Sequence, residues 1–379
     1  MRSSSLRVLT IAHNAVAVSN RRRTEALCET GAVDATLLTP RWWFEEGRRI
    51  DVVPTAPWRV GRTLFTGNGT RHLYLTGLVD AVRATRPDVI DLYEEPFSLV
   101  ALQTVLAREL LAPTAALVFY SAVNVMRAWR RPYRAIERFV LGRADGAYAP
   151  SQDVPRILRS KGFPVERPVH VIPLGVDVER FATAEAMDLE GIGRPRIGFV
   201  GRLEPVKGLG VLMDAFRRLT TRASLVVAGE GSQRHILAGE RVHVLAPVAY
   251  ERLPAFLKSL DLLVLPSVTI LPLHREQFGR VLVEAMAAGV PLVGSDSGAI
   301  PEVIGDAGLV VPERDPVALA RAIDAVLGDA ELRHRLVGRG RRRAATYFDW
   351  SVVARQTVGL FHAAVAHRRG LATMEAVRA

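Results

Sequence analysis

Strand-like and helix-like segments alternate along this chain from end to end, and that alternation leaves few folds open. It is the pattern of parallel sheets with crossover helices, an α/β architecture. In the first half the candidate strands are 7–12, 35–38, 89–92, 115–120, 146–149 and 170–172. Helical stretches are predicted at 20–30, 73–85, 98–110 and 134–141. The pattern breaks at 173–195, where Pro173, Gly175, Gly193 and Pro195 supply turn chemistry, and this stretch is predicted to be a linker. A second series of strands then follows at 197–200, 224–228, 242–245, 262–265, 291–294 and 309–311.

At 379 residues the chain exceeds what one hydrophobic core usually fills, so two domains are expected. The boundaries predicted are 1–180 and 195–349. Two such units in tandem are Rossmann-like, and their sheets are expected to face each other across a ligand-binding cleft. With 49% hydrophobic and 23% charged residues, the composition is that of an ordinary soluble globular protein. The N-terminal apolar stretch at 8–12 is too short for a signal peptide. The longest uncharged run, between Glu109 and Arg127, is interrupted by Pro113, Ser121 and Asn124 and is not read as a membrane span. The single cysteine, Cys28, can form no internal disulfide and fits a reducing, cytoplasmic setting.

The formal net charge of +11 is carried almost entirely by arginine, with clusters at 21–23, 130–131 and 341–343. No nucleic-acid-binding module accompanies them, so nucleic acid is not an expected partner. Solvated helix faces are the default explanation. An anionic membrane surface is the alternative, because basic side chains gain about 1 kcal/mol each near anionic lipid.

Three segments bear chemistry. The first is 199–210, where a strand stops at Gly201 and a helix is expected from about Leu209. Arg202 and Lys207 flank the turn between them. Backbone amides, the helix dipole and two cations there suit a diphosphate. The second, Gly229-Glu230-Gly231, is a tight turn that lacks the third glycine of a dinucleotide fingerprint.

The third runs from Arg275 to Pro291, with a helical apolar face at Val281, Leu282, Ala285, Met286 and Ala288 and a stop at Gly289. Phe278 and Gly279 sit where the helix starts, so their amides are expected to point outward unpaired. Glu276 precedes that start and Glu284 lies about one turn inside. If the whole segment were helical, the eight residues between the two carboxylates would span about 12 Å. That distance reaches from a sugar, past two phosphates, to a ribose, and carboxylates accept hydrogen bonds from vicinal hydroxyls.

Together these segments resemble the retaining glycosyltransferases of family 4, which have the two-domain GT-B fold. The resemblance extends through 263–267, 294–302, 93–98 and 172–177. It implies transfer of a sugar from a nucleotide-diphosphate sugar to the hydroxyl of a glycan, lipid-linked or small-molecule acceptor. Glu276 would hold the donor sugar and Glu284 the ribose. Arg202 and Lys207 would hold the diphosphate, aided by backbone at Gly201, Phe278, Gly279 and Arg280. The C-terminal helix, from about Trp350, would cross back onto the first domain. The nucleotide sugar is a co-substrate, so no cofactor is implied, and without an Asp-x-Asp pair no metal site is expected. On the acceptor side His13, Glu95 and Asn124 are the candidates. The chain departs from many relatives after its first strand, where 14–20 replaces a glycine pair, and at the end of strand 89–92, where Tyr93-Glu94-Glu95 replaces a histidine. A nucleotide-sugar epimerase or hydrolase, an NAD(P)-dependent oxidoreductase and a non-catalytic sugar-nucleotide sensor are the competing readings.

Overall fold

A computed structural model of the chain describes residues 5–45, 48–52 and 58–378. It divides into two compact units: Met1–Ile172 together with Trp350–Ala379, and Pro173–Asp349. Each is Rossmann-like, built on one parallel sheet.

In the first unit seven strands pair in the order Val169–Val171, Gly146–Ala149, Ala116–Tyr120, Val89–Leu92, Leu6–Ile11, Val33–Pro40 and Arg59–Gly61. Successive side chains on a strand point to opposite faces, so both faces need cover. Leu9, Ile11, Ile90, Leu92, Leu117 and Phe119 pack on one side. Val8, Val89, Ala116 and Val118 pack on the other, against Ala26 and Leu27 of the helix Val18–Glu29 and Val353, Leu360 and Phe361 of the helix Trp350–Arg378. The C-terminal helix therefore completes one face of this sheet. Two antiparallel ribbons, Trp42–Glu45 with Arg48–Asp51 and Thr63–Leu64 with Leu73–Tyr74, lie outside the alternating pattern. The second shortens an expected helix. Residues 73–74 are strand, Gly77 turns the chain at φ 94°, and the helix spans only Leu78–Thr85.

The second unit carries six parallel strands, ordered Val242–Leu245, Ser224–Ala228, Arg196–Val200, Leu262–Leu265, Leu292–Ser295 and Gly308–Val311. The stretch expected to be a linker belongs to this unit. Within it the helix Val178–Thr183 is capped by the Asp177 carboxylate, which accepts from the Arg180 amide at 3.2 Å. Phe181 is fully buried, and Leu189 joins the same core. Turn-forming residues mark a change of direction, and only burial distinguishes a packed turn from a free one.

Candidate functional site

In the second unit, the strand Arg196–Val200 ends at Gly201 and a tight turn, Pro205–Lys207, leads into the helix Leu209–Arg217. Gly208 joins them at φ 69°, and a Cβ there would stand 1.9 Å from the Pro266 carbonyl oxygen. Only glycine permits that approach. It seats Lys207 against the segment that follows the strand Leu262–Leu265. Lys207 Nζ donates to Glu276 Oε2 at 2.6 Å, and Ser267 Oγ donates to the same oxygen at 2.7 Å. Burial pushes the Glu276 carboxyl up, but the Lys207 charge and these two hydrogen bonds outweigh it and leave the carboxyl below its ordinary range. Arg202 is exposed and, among the described residues, makes no hydrogen bond.

Glu276 does not lie on a helix. The helix spans Arg280–Ala288, so the idealised all-helical separation of the two glutamates does not apply. Gly279 breaks the pattern with φ 77°, and Glu276 is anchored instead by its backbone: its carbonyl accepts from the Ala299 amide at 3.0 Å. No side chain caps the helix at Gly279. The helix dipole at this start favours an anion. The Phe278 side chain is buried against Phe348, at 5.9 Å between ring centroids, so only its backbone faces outward chemistry.

Glu284 sits one turn into this helix with 5% of its surface exposed, and among the described residues its carboxyl makes no hydrogen bond. Burial pushes the carboxyl up to about 7, against the opposing charges of Arg280 and Arg180. Arg180 is itself held by the Tyr250 carbonyl, at 3.2 Å, and lies 4.7 Å over the Tyr250 ring. A buried carboxyl without a donor is costly, and such a group is suited to a ligand hydroxyl.

In the first unit, His13 follows the strand Leu6–Ile11 and Glu94 follows its neighbour Val89–Leu92, with Ile11 opposite Leu92. Parallel pairing brings the two strand ends together. The His13 amide donates to Glu94 Oε1 at 2.7 Å, and His13 Nδ1 lies 2.6 Å from Glu94 Oε2. Burial pushes the Glu94 carboxyl up, but His13 and His72 more than offset it and hold it at about 2. Burial likewise pushes the His13 imidazole down, and the Glu94 charge overcomes it to raise it. Glu95 accepts from Ser121 Oγ at 2.7 Å and from the Ala122 amide at 2.8 Å, yet burial still raises it to about 7. His13, Glu94 and Glu95 line one pocket of about 260 Å³; Asn124 is buried but does not line it. Among the described residues, the cluster able to hold a metal ion is His13, His72 and Glu94, whose ligand atoms lie within 4.8 Å of one another.

Two family models match the chain: "Glycosyl transferases group 1" over residues 194–329 and "Glycosyltransferase Family 4" over residues 16–180. A glycogen synthase of Mycobacterium tuberculosis is 30% identical over 299 residues, which is 74% of this chain and 70% of that protein. The chain belongs to the GT-B glycosyltransferases. Among further relatives, the phosphatidyl-myo-inositol mannosyltransferase of Mycobacterium leprae is 37% identical over 205 residues, 50% of this chain. That match spans about half of the relative's length, at 52%. In fold, the chain is similar to a sucrose-phosphate synthase from Thermosynechococcus elongatus, with TM-score 0.68 and 20% identity over 94% of this chain and 98% of that one. It is also similar to Anabaena Alr3699/HepE in complex with UDP and glucose, with TM-score 0.68 and 19% identity over 93% and 98% of the two chains.

Lys207 and Glu276, 69 positions apart in sequence, are brought into direct contact. Arg280 and Glu284 share one helix. Ser267, Arg180, Tyr250, Glu94 and His72 were not among the expected site residues. Glu94 had a signal, its position just after the third strand of the first series, 89–92. His72 had none, because it sits in an irregular stretch with no periodicity to place it.

Proposed function

We propose that this protein transfers a hexosyl group from a nucleotide-diphosphate sugar to an acceptor hydroxyl, with retention of anomeric configuration, in the synthesis of a polysaccharide, glycolipid or glycoconjugate. The observation that carries this reading is the second unit's arrangement: a Lys207–Glu276 pair, an uncapped helix start at Gly279 and a buried, unbonded Glu284. Glu284 accepts hydrogen bonds from the ribose and Glu276 from the sugar hydroxyls. Arg202 and Lys207, with the backbone of Gly201, Phe278, Gly279 and Arg280, take the diphosphate. Charge developing on the leaving diphosphate is met by these cations and amides, so no bridging metal is required there. The leaving phosphate helps to take the acceptor proton. His13 and Glu95 act on the acceptor side, and buried Asn124 supports the surrounding loop.

The names of the relatives include inositol lipid and inositol phosphate acceptors, which favours a polyhydroxylated, phosphate-bearing acceptor here. Among the described residues no helix is long and apolar enough to cross a membrane. The arginine excess supports peripheral binding at an anionic, cytoplasmic membrane face. A thermal-shift panel of UDP-, GDP-, ADP- and TDP-sugars on wild type and Glu284→Ala tests the donor site. Stabilisation by one nucleotide class, lost in the variant, is expected and names the base. No response to any of them would remove the donor reading and make NAD(P)H the next ligand to try.

A further inference from the structure

His72 is fully buried, and its two ring nitrogens have different surroundings. Nδ1 lies 3.3 Å from the Asn68 carbonyl oxygen. A carbonyl only accepts, so Nδ1 carries the hydrogen and Nε2 is the ring atom turned toward Glu94. Nε2 makes no hydrogen bond among the described residues and stands 3.6 Å from Glu94 Oε1. At 3.6 Å the two atoms are too far apart for a good hydrogen bond, and a cation seated between them would bind both. Two ligands bonded at about 2.1 Å to one tetrahedral ion stand roughly 3.4 Å apart, close to this separation.

We propose that His13, His72 and Glu94 form a binding site for a borderline divalent transition ion, of which Zn²⁺ is the representative. Two imidazoles and one carboxylate are a ligand set suited to such ions, whereas Mg²⁺ and Ca²⁺ prefer oxygen. The Asn68 carbonyl supplies the outer hydrogen bond that fixes the His72 tautomer and ring orientation. Trp43 packs on both histidines, with ring centroids 4.6 Å from His13 and 4.9 Å from His72, and gives the site an apolar wall. His13 and Glu94 also line the pocket shared with Asn14, Gly69 and Thr70, which supplies an entry path and a side for a further oxygen ligand. Binding the ion displaces the proton now shared between His13 Nδ1 and Glu94 Oε2, which passes to solvent. This site departs from the expectation that the chain holds no metal. It lies wholly in the first unit and does not rest on the sugar-transfer reading.

The test uses tag-free, full-length protein stripped with a chelator, titrated with Zn²⁺ by calorimetry and with Co²⁺ by visible absorption. The expected result is one equivalent of Zn²⁺ and Co²⁺ bands of the intensity of a four- or five-coordinate site. His72→Ala and Glu94→Gln should each weaken binding at least about tenfold, and the exposed His334→Ala should not. Nitrogen NMR of histidine-labelled wild type, with and without Zn²⁺, keeps the test decisive if the buried variants fail to fold. Metal-dependent shifts of the His13 and His72 ring nitrogens support the site. Their absence, or equal Zn²⁺ binding by wild type and a folded His72→Ala, overturns it and leaves a proton as the charge that balances Glu94.

Discussion

Lys207 stands between a carboxylate of its own protein and the anion it is proposed to neutralise. Its ammonium is 2.6 Å from Glu276 Oε2, so the positive charge is already positioned before any donor arrives. Preorganised charge of this kind contributes about 10²-fold or more to rate. Lys207→Ala should lower turnover by at least that factor and raise the Glu276 carboxyl pKa; near-normal turnover would refute its place on the diphosphate. Glu284 makes a different prediction. Its carboxyl is raised to about 7 in the folded protein from an ordinary 4.5, because burial disfavours the charged form. Between those values the folded state holds a proton that the unfolded state has released. Glu284 therefore contributes stability that is full below about 4.5 and is lost as pH rises through about 7. Glu284→Gln removes that loss. Urea melts at about pH 5 and about pH 8 should show the variant gaining on wild type at the higher pH, by an amount on the order of a few kcal/mol. A pH-independent difference would mean that Glu284 titrates normally.

At the scale of elements, the turn at Gly298 holds the Glu276 segment. Gly298 adopts φ 57°, and a Cβ there would stand 2.0 Å from the Glu276 carbonyl oxygen. Gly298→Ala must displace the backbone on which the glutamate rides. It should cost about 1–3 kcal/mol in stability and weaken donor binding, read as a lower melting temperature and a smaller nucleotide-sugar shift. Gly359 is the contrasting case, lying inside the helix Trp350–Arg378 with no atom within 4 Å of the place a methyl group would take. Gly359→Ala should stabilise by roughly 0.5–1 kcal/mol and leave donor binding alone. If both substitutions behaved alike, the close approach at Gly298 would not be what positions Glu276. Strands 89–92, 224–228, 242–245 and 262–265 were legible as runs containing Val, Ile or Leu and are predicted with the bounds they have, as is 146–149. The ribbons around 42–51 and 63–74 were not, because their strands are short and their partners are not the next strand in a βαβ order.

At the scale of the whole molecule, the net charge of +11 is a property no single site uses. Attraction between such a chain and anionic lipid should be screened by salt, since the Debye length falls from about 30 Å at 0.01 M to about 10 Å at 0.1 M. Sedimentation with phosphatidylglycerol vesicles should be strong at low ionic strength and decline steeply as salt is added. Binding insensitive to salt, or none at all, would remove charge as the basis of a membrane role. The unit division also belongs to this scale. Residues 173–195 have the composition of a linker but pack within the second unit, while the helix from Trp350 covers a sheet whose first strand begins at Leu6, near the other end of the chain.

By itself the sequence determined the α/β class, the two series of strands and the segment that carries Lys207, Glu276 and Glu284. Those features are written in local periodicity, in glycine positions and in short spacings, all of which act over one or two turns of chain. Only the tertiary structure decided which groups share an oxygen, a pocket or a charge. The 2.6 Å contact of Lys207 with Glu276 requires two separate strand ends to meet. The His13–Glu94–His72 cluster depends on parallel pairing that joins residues 81 positions apart and on a loop with no pattern of its own. Side-chain chemistry is local, but burial and partnership are set by which distant segments the folded sheet brings within a few ångströms.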